Sequence, residues 1–192
     1  MSDKELKIDT SGIQKDQHHS YYNHRYEPTS YEILKQLFDE LPLDSSVTFV
    51  DYGCGKGRLN FYVNHRFHCR SIGIELNQEY YEDAQQNLMS YSGSHKERIE
   101  FYCMPAQSYV LNGSETYFYF FNPFSVEIFR HVIQNIYESI EEHPRECILI
   151  LYYPDDDYIY YLENYTGLSF LREIKVIGNE KDSRECFCVY KF

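Results

Sequence analysis

The chain has 192 residues, of which 43% are hydrophobic and 25% charged, as expected for one globular domain. A domain of this size buries about 70% of the surface that its unfolded chain exposes, so it needs no disulfide or metal staple. Acidic residues outnumber basic ones by 30 to 18, which gives a formal net charge of -12. Because nucleic acids and anionic membranes attract Lys and Arg, this balance disfavours both as strong partners.

The six cysteines lie far apart without a C-x-x-C pair, and the polar first residues carry no secretory signal. These features predict a reduced, cytoplasmic protein. No apolar run approaches the roughly 20 residues that a membrane-spanning helix needs. We therefore expect no membrane association.

Residues 1–28 are polar, rich in His and Tyr, and lack a clear hydrophobic period. We expect them to form an arm that could close as a lid over a domain spanning residues 29–192. The histidines His18, His19 and His24 lack the spacing of metal ligands and are interpreted as polar surface, so no metal site is predicted. The candidate lid or substrate residues are Tyr21, Tyr22, Tyr26, Thr29 and Tyr31.

From Thr29 onward, strands and helices alternate. The segment YEILKQLFDEL has helical spacing, with Thr29 or Ser30 as its N-cap and Pro42 beyond its end. The pattern then predicts strands at VTFVDYG, CRSIGIEL, ERIEFYCM, TYFYFFN and RECILILYYP, with helices at GRLNFYVNHR, QEYYEDAQQNLMSY and SVEIFRHVIQNIYESIEE. Such alternation favours a mostly parallel sheet covered by helices on both faces.

The last two apolar segments, LSFLREIKVI and RECFCVYKF, are joined only by GNEKDS. This connection is too short for a parallel crossover, so the pair should form an antiparallel hairpin. The predicted fold is α/β, a three-layer, doubly wound sheet of seven strands with an antiparallel last strand. Cys186 and Cys188 alternate along that strand and are expected to pack as a thiol pair.

The aromatic content is high, with 21 Tyr and 13 Phe but no Trp. Phe49 and residues 117–121 fall on predicted strands and should belong mainly to the core. Tyr21, Tyr22, Tyr26, Tyr31 and Phe124 fall on segments expected to border a ligand crevice.

The segment V-T-F-V-D-Y-G-C-G-K-G carries the clearest functional signal. An apolar strand ends near Asp51 and opens into Gly53, Gly55 and Gly57, which lets the backbone approach a ligand closely above a helix N-terminus. Glu75 ends the next strand and should lie near the same crevice, where a carboxylate suits a ribose diol. A dinucleotide fingerprint would place glycine where Arg58 stands, which disfavours a nicotinamide-dependent dehydrogenase.

The sequence D-Y-G-C-G-K-G, followed by G-I-E-L, resembles the class I, Rossmann-like S-adenosylmethionine-dependent methyltransferases from about Val47 to Phe192. The resemblance implies S-adenosyl-L-methionine as cofactor and a methionine-binding role for the glycines, with Asp51 orienting their loop or meeting the amino group. It also implies that Glu75 binds the ribose hydroxyls and that Leu76 packs on the adenine. The implied cofactor-binding residues are Asp51, Tyr52, Gly53, Cys54, Gly55, Gly57, Glu75, Leu76, Ala106, Gln107 and Asn122.

After the fourth predicted strand, Asn122, Pro123 and Phe124 resemble the N/D-P-P-Y/F motif of methyltransferases that act on amino or amide nitrogen. The second proline is absent, and the aromatic residue stands one place earlier. The resemblance implies that these three residues are catalytic: Asn122 would orient the target nitrogen, and the aromatic ring would stack on a planar substrate. A simple strand end with Asn122 capping the next helix is the alternative interpretation.

These observations favour transfer of a methyl group to a nitrogen or oxygen nucleophile of a small molecule or protein. The alternatives are an RNA or DNA amino-base methyltransferase, disfavoured by the acidic charge, and a non-catalytic cofactor-binding partner subunit, suggested by the incomplete motif at Asn122.

Overall fold

The structure, a computed structural model, describes residues 1–12, 27–178, 182 and 184–192. The predicted lid residues Tyr21, Tyr22 and Tyr26 lie outside the described residues, as do the three clustered histidines. Across the described ranges, no helix combines the length and apolar character needed to cross a membrane.

Seven strands form one sheet in the order β3-β2-β1-β4-β5-β7-β6. The strands are β1 (Thr48–Tyr52), β2 (Arg70–Glu75), β3 (Ile99–Cys103), β4 (Tyr117–Phe120), β5 (Ile148–Tyr152), β6 (Ser169–Lys175) and β7 (Cys186–Lys191). The first five pair in parallel, whereas β7 is antiparallel to both β5 and β6. The predicted fold and its antiparallel final hairpin are confirmed.

Helices cover both faces of the sheet. They are α1 (Asp3–Leu6), α2 (Tyr31–Glu40), α3 (Arg58–Phe67), α4 (Gln78–Ser90), α5 (Val126–Glu142) and α6 (Asp156–Tyr165). One face packs on α2 and α3 through residues such as Phe49, and the other packs on α5 and α6 through residues such as Val50. The three-layer arrangement follows because alternate residues of a strand point to opposite faces.

The central strands β1 and β4 carry several of the buried aromatic side chains. Phe49, Phe118, Tyr119 and Phe120 are all buried, as their strand positions predicted. In the helical layer that packs on the Val50 face of the sheet, the ring of Phe129 in α5 stacks on Tyr158 in α6 at a centroid distance of 3.8 Å. Aromatic pairs of this kind add to the stabilisation from buried area, so much of the aromatic excess forms the core.

Strand β1 lies between β2 and β4, and the chain therefore winds outward in both directions from this point. The loops after β1 and β4 leave the same edge of the sheet and diverge to opposite faces, which opens a crevice between them. In open α/β sheets, ligands bind at this position, outside the carboxyl ends of the strands. The fold alone thus places the glycines after β1 beside Asn122 after β4.

The first twelve residues pack on the domain, and the sequence analysis missed α1. Ser2 caps α1, and Leu6 and Ile8 join a core cluster with Phe61 of α3 and Phe101 of β3. Thr10 is also buried. Within residues 1–12, the apolar side chains that make this contact are Leu6 and Ile8, so the polar composition of the segment hid it.

Leu6→Ala should therefore destabilise the whole domain by about 2–5 kcal/mol, the usual cost of a large-to-small change in a core. Leu171→Ala is the matched control, because Leu171 is 46% exposed on the edge strand and should change stability by about 1 kcal/mol or less. Urea unfolding measures both changes. Equal, small effects of the two substitutions would show that the N-terminal segment does not belong to the core.

Candidate functional site

The loop that follows β1 has an unusual backbone that only glycine adopts easily. Gly53, Gly55 and Gly57 have φ angles of 80°, 53° and 85°, in the left-handed region where a Cβ atom is strained. We call residues 53–57 the glycine loop. The backbone N–H groups of Gly53 and Cys54 both donate to the carbonyl of Ile74 in β2, at 2.8 and 3.1 Å. Helix α3 begins directly afterwards, so its N-terminus lies behind the loop.

The glycine loop also touches the loop that follows β4. A Cβ atom placed on Gly53 would lie 2.5 Å from the Cβ atom of Pro123, a separation that real side chains do not reach. Gly53 is therefore required both for its positive φ angle and for this contact. The contact fixes the distance between the two loops that border the crevice.

The Glu75 carboxylate forms hydrogen bonds to the segments that follow both β1 and β2. Its Oε2 atom accepts a hydrogen bond of 2.8 Å from the N–H of Gly55, and its Oε1 atom accepts one of 2.8 Å from the N–H of Asn77. Asn77 in turn caps helix α4 through its side chain. Because an ionised carboxylate has about four acceptor positions, Glu75 retains capacity to accept a hydrogen bond from a ligand hydroxyl.

Two carboxyl groups share this buried region. Asp51 is buried in β1, where desolvation, followed by the charge of Glu75, raises the pKa of its carboxyl well above the usual value. Burial also raises the pKa of Glu75, although backbone N–H bonds from Asn77 and Gly55 oppose that change. Burial thus disfavours the charged forms of both carboxyl groups, and a cationic or hydrogen-bond-donating ligand would relieve that cost.

Asn122 lies just beyond the carboxyl end of β4 and has a φ angle of 40°. Its Oδ1 atom is buried and has no hydrogen-bond partner among the described residues. An unsatisfied buried acceptor costs about 1–3 kcal/mol, and the positive φ adds backbone strain. Such costs concentrate at functional sites, where a ligand supplies the missing donor.

The side of the crevice assigned to adenine is open. Leu76 is 50% exposed directly after Glu75, and Ala106 and Gln107 form a short turn after β3. The N–H of Met104 donates to the carbonyl of Glu75, at 3.0 Å, which keeps this turn next to the end of β2. The half-buried Cys103, which the sequence analysis did not single out, ends β3 at the same edge.

Some predicted site residues lie in the core. The Tyr52 ring is buried and stacks on Phe120, and Cys54 is buried beneath the loop. The Phe124 ring is 5% exposed and packs edge-on against Phe120, while its carbonyl accepts a hydrogen bond from the Tyr158 hydroxyl. In this structure the Phe124 ring presents no open face on which a substrate could stack.

Thr29 and Tyr31 hold the N-terminal segment to the glycine loop. The guanidinium of Arg58, directly after the loop, donates to the Thr10 hydroxyl at 2.7 Å and to the Thr29 carbonyl at 3.3 Å. It also lies 5.1 Å from the centre of the Tyr31 ring, whose hydroxyl donates to Asp3 at 2.5 Å. In the sequence, Arg58 stands out only as a missing glycine, and no local pattern predicts this role.

Taken together, the sheet order, the glycine loop, Glu75 and the crevice beside Asn122 define a class I S-adenosylmethionine-dependent methyltransferase domain. The chain belongs to the family described as "Histone methylation protein DOT1", whose family model matches residues 6–118. S-adenosylmethionine is the cofactor of this class, and the residues present fit it: the glycine loop leaves room for its amino acid portion, and Glu75 carries a carboxylate that suits its ribose hydroxyls. The resemblance that the sequence indicated is confirmed.

Solved structures share the fold at low identity. A human methyltransferase 10 domain containing protein is 12% identical, with a TM-score of 0.62, and the match covers 87% of this chain and 84% of that one. An RNA methyltransferase from Salinibacter ruber, in complex with S-adenosyl-L-homocysteine, is 15% identical, with a TM-score of 0.58 and coverages of 86% and 92%. The glycopeptide N-methyltransferase MtfA, complexed with S-adenosyl-L-methionine, is 11% identical, with a TM-score of 0.57 and coverages of 83% and 92%. No curated protein matches the chain significantly.

Asp51→Asn should stabilise the free protein at pH 7.5, and the gain should shrink as the pH falls to 4. The pKa of Asp51 is higher in the folded than in the unfolded state, so the unfolded state releases this proton more readily as the pH rises, and the stability of the folded state falls. A neutral amide removes that penalty. Melting temperatures of both proteins across this pH range measure the effect.

Asp39→Asn is the matched control because its effect should have the opposite sign. Hydrogen bonds from Lys35 and Arg66 lower the pKa of the exposed Asp39 carboxyl, so its contribution to stability is present at neutral pH and lost in acid. If Asp51→Asn lowers the melting temperature at pH 7.5 as Asp39→Asn does, the account of the buried carboxyl pair is wrong.

Proposed function

We propose that the protein transfers the methyl group of S-adenosylmethionine to a nitrogen nucleophile on a basic protein. The single observation that carries the nitrogen assignment is the buried, unpartnered Oδ1 atom of Asn122 beside the glycine loop. An amino group has N–H donors that can satisfy this acceptor. The family description, which names histone methylation, supports a protein acceptor.

The charge around the crevice supports a basic acceptor. At the carboxyl end of β5, the hydroxyl of Tyr152 donates to Glu185 at 2.9 Å and that of Tyr153 donates to Asp182 at 2.5 Å. Asp155, Asp156 and Asp157 follow at the start of α6. The guanidinium of Arg184 offsets part of this charge, but the region and the whole chain remain acidic. Such a surface attracts cationic partners and repels phosphate backbones.

S-adenosylmethionine supplies a methyl group on a positively charged sulfur, which a nucleophile displaces in line. Within the chain, Glu75 would accept hydrogen bonds from the ribose, and the glycine loop, which lacks side chains at three of its five positions, would let the methionine portion lie against its backbone. Asn122 would accept an N–H bond from the acceptor and aim the nitrogen lone pair at the methyl group. Alignment and water exclusion supply most of the acceleration in such reactions.

The remaining predicted assignments belong to the same proposal. Leu76, Ala106 and Gln107 would border the adenine. Asp51, near the end of β1, would orient the glycine loop. All six cysteines are free thiols, which supports the proposal that the protein works in a reducing, cytoplasmic compartment.

Glu75→Gln should weaken S-adenosylmethionine binding about 10- to 100-fold, because a hydrogen bond to a charged acceptor contributes about 1.5–3 kcal/mol. Glu79→Gln, in the first turn of α4 and exposed, is the control and should bind normally. Titration calorimetry measures the dissociation constants of both variants. Unchanged affinity in a folded Glu75→Gln protein would overturn the cofactor assignment.

Asn122→Gly should lower methyl transfer at least about tenfold while changing cofactor affinity little. Glycine keeps the positive φ angle and removes only the side chain, so folding should persist. The measurement is transfer of radiolabelled methyl groups to separate pools of basic proteins, including histones, and of RNA. Asn164→Ala is the control, because it removes an exposed amide within helix α6 without strain. Glycine is avoided at this position because it would weaken the helix.

The pattern of labelling separates the remaining hypotheses. If the basic proteins are labelled and the Asn122→Gly substitution lowers that labelling, the proposal is supported. Label confined to RNA would favour the nucleic-acid methyltransferase instead, and cofactor binding without label in either pool would contradict the proposal and favour the non-catalytic subunit. Full transfer by Asn122→Gly would remove Asn122 from the mechanism.

A further inference from the structure

A second cluster of chemically reactive side chains lies in the hairpin formed by β6 and β7. Cys186 and Cys188 project from the same face of β7, and the strand register places Glu173 of β6 directly opposite Cys188. The ligand atoms of these three side chains all lie within 4.8 Å of one another. The cysteines are 6% and 8% exposed, whereas Glu173 is exposed and opens the cluster to solvent.

The donor set suits a thiophilic divalent cation. Two sulfur atoms and one carboxylate oxygen are ligands that Zn²⁺ accepts, and three protein ligands leave a fourth tetrahedral position for water. Bonds of about 2.0–2.3 Å to zinc set tetrahedral edges of roughly 3.3–3.8 Å, so side-chain rotations would have to draw the three atoms, which lie within 4.8 Å of one another, closer together. Calcium and magnesium prefer all-oxygen sites and do not fit.

The surrounding charges permit such an ion. Two thiolates and one carboxylate around Zn²⁺ carry a net charge of -1, and the Lys175 ammonium, 3.8 Å from Glu173, can offset it. Glu163 of α6 contributes a further negative potential at Cys188, and the neutral Tyr190 hydroxyl lies on the same face of β7. A free thiol has a pKa of about 8.5, so an ion that binds at neutral pH must displace both thiol protons.

We propose that Glu173, Cys186 and Cys188 form a binding site for Zn²⁺ or a similar thiophilic cation, which ties the edge strand β6 to β7. On binding, two S–H bonds break, two metal–sulfur bonds form, and two protons pass to the solvent. No electron is transferred. The site is separate from the glycine loop and from Glu75, so it does not depend on the proposed methyl transfer.

The test uses the full-length protein after removal of metals with a chelator. Titration with Co²⁺, a spectroscopic substitute for Zn²⁺, should give one equivalent of a thiolate-to-cobalt charge-transfer band, which Zn²⁺ then abolishes. The apparent Zn²⁺ affinity should rise by up to about 100-fold per pH unit between pH 6 and 8, because two protons leave. Saturating Zn²⁺ should raise the melting temperature by mass action.

Substitutions of the proposed ligands test which residues bind the ion. Cys188→Ser should weaken Zn²⁺ binding by about 100-fold and remove most of the charge-transfer intensity, and Glu173→Gln should weaken it by about tenfold. Cys147→Ser, which alters a buried thiol directly before β5, is the control and should bind as the parent does. Cofactor titration verifies that each variant is folded, and the exposed Glu173 keeps the test valid if Cys188→Ser unfolds. Absence of the band in the parent protein, or an equal band in Cys188→Ser, overturns the proposal.

Discussion

The carboxylate of Glu75 is the interaction on which the arrangement of the site depends. Through its two oxygen atoms it binds the N–H of Gly55 in the glycine loop and the N–H of Asn77 at the start of α4. The two segments follow adjacent parallel strands, and each would otherwise present unsatisfied donors at the sheet edge. One side chain therefore fixes the position of both loops and still retains acceptor positions for a ligand.

A second constraint acts from the opposite side of the crevice. Gly53 lies against Pro123, so the loop after β4 can approach the glycine loop only because Gly53 lacks a side chain. This contact brings Asn122, whose backbone is strained, next to the glycine loop. Arg58, directly after the glycine loop, holds the N-terminal segment in place through hydrogen bonds to both Thr10 and Thr29. Core packing, backbone strain and polar contacts thus converge at the switch point between β1 and β4.

The sequence predicted the features that depend on local pattern. Alternating apolar segments indicated the strands, and the short GNEKDS connection indicated the antiparallel hairpin. Glu75 could be predicted because it ends a recognisable strand at a fixed distance from the glycines. Helix α6 has a weak signal in the sequence: Asp155 to Asp157 are typical of a helix start, but the tyrosine-rich continuation has no clear polar face.

Features that depend on contacts between distant segments could not be predicted. Burial of Leu6 and Ile8 requires the surface made by α3 and β3, and the bonds of Arg58 require the folded N-terminal segment. Phe124 resembled a substrate platform in sequence, but Phe120 and Tyr158 enclose it in the fold. Glu173 approaches the two cysteines only through the register of β6 and β7, which a count of cysteine spacings does not contain.

The most direct test of the account is a crystal structure of the protein with S-adenosyl-L-homocysteine. The account predicts both ribose hydroxyls within hydrogen-bonding distance of the Glu75 carboxylate, the amino acid portion along the glycine loop, and the sulfur facing Asn122. A nucleoside bound away from Glu75, or a product sulfur facing away from the loop after β4, would contradict it.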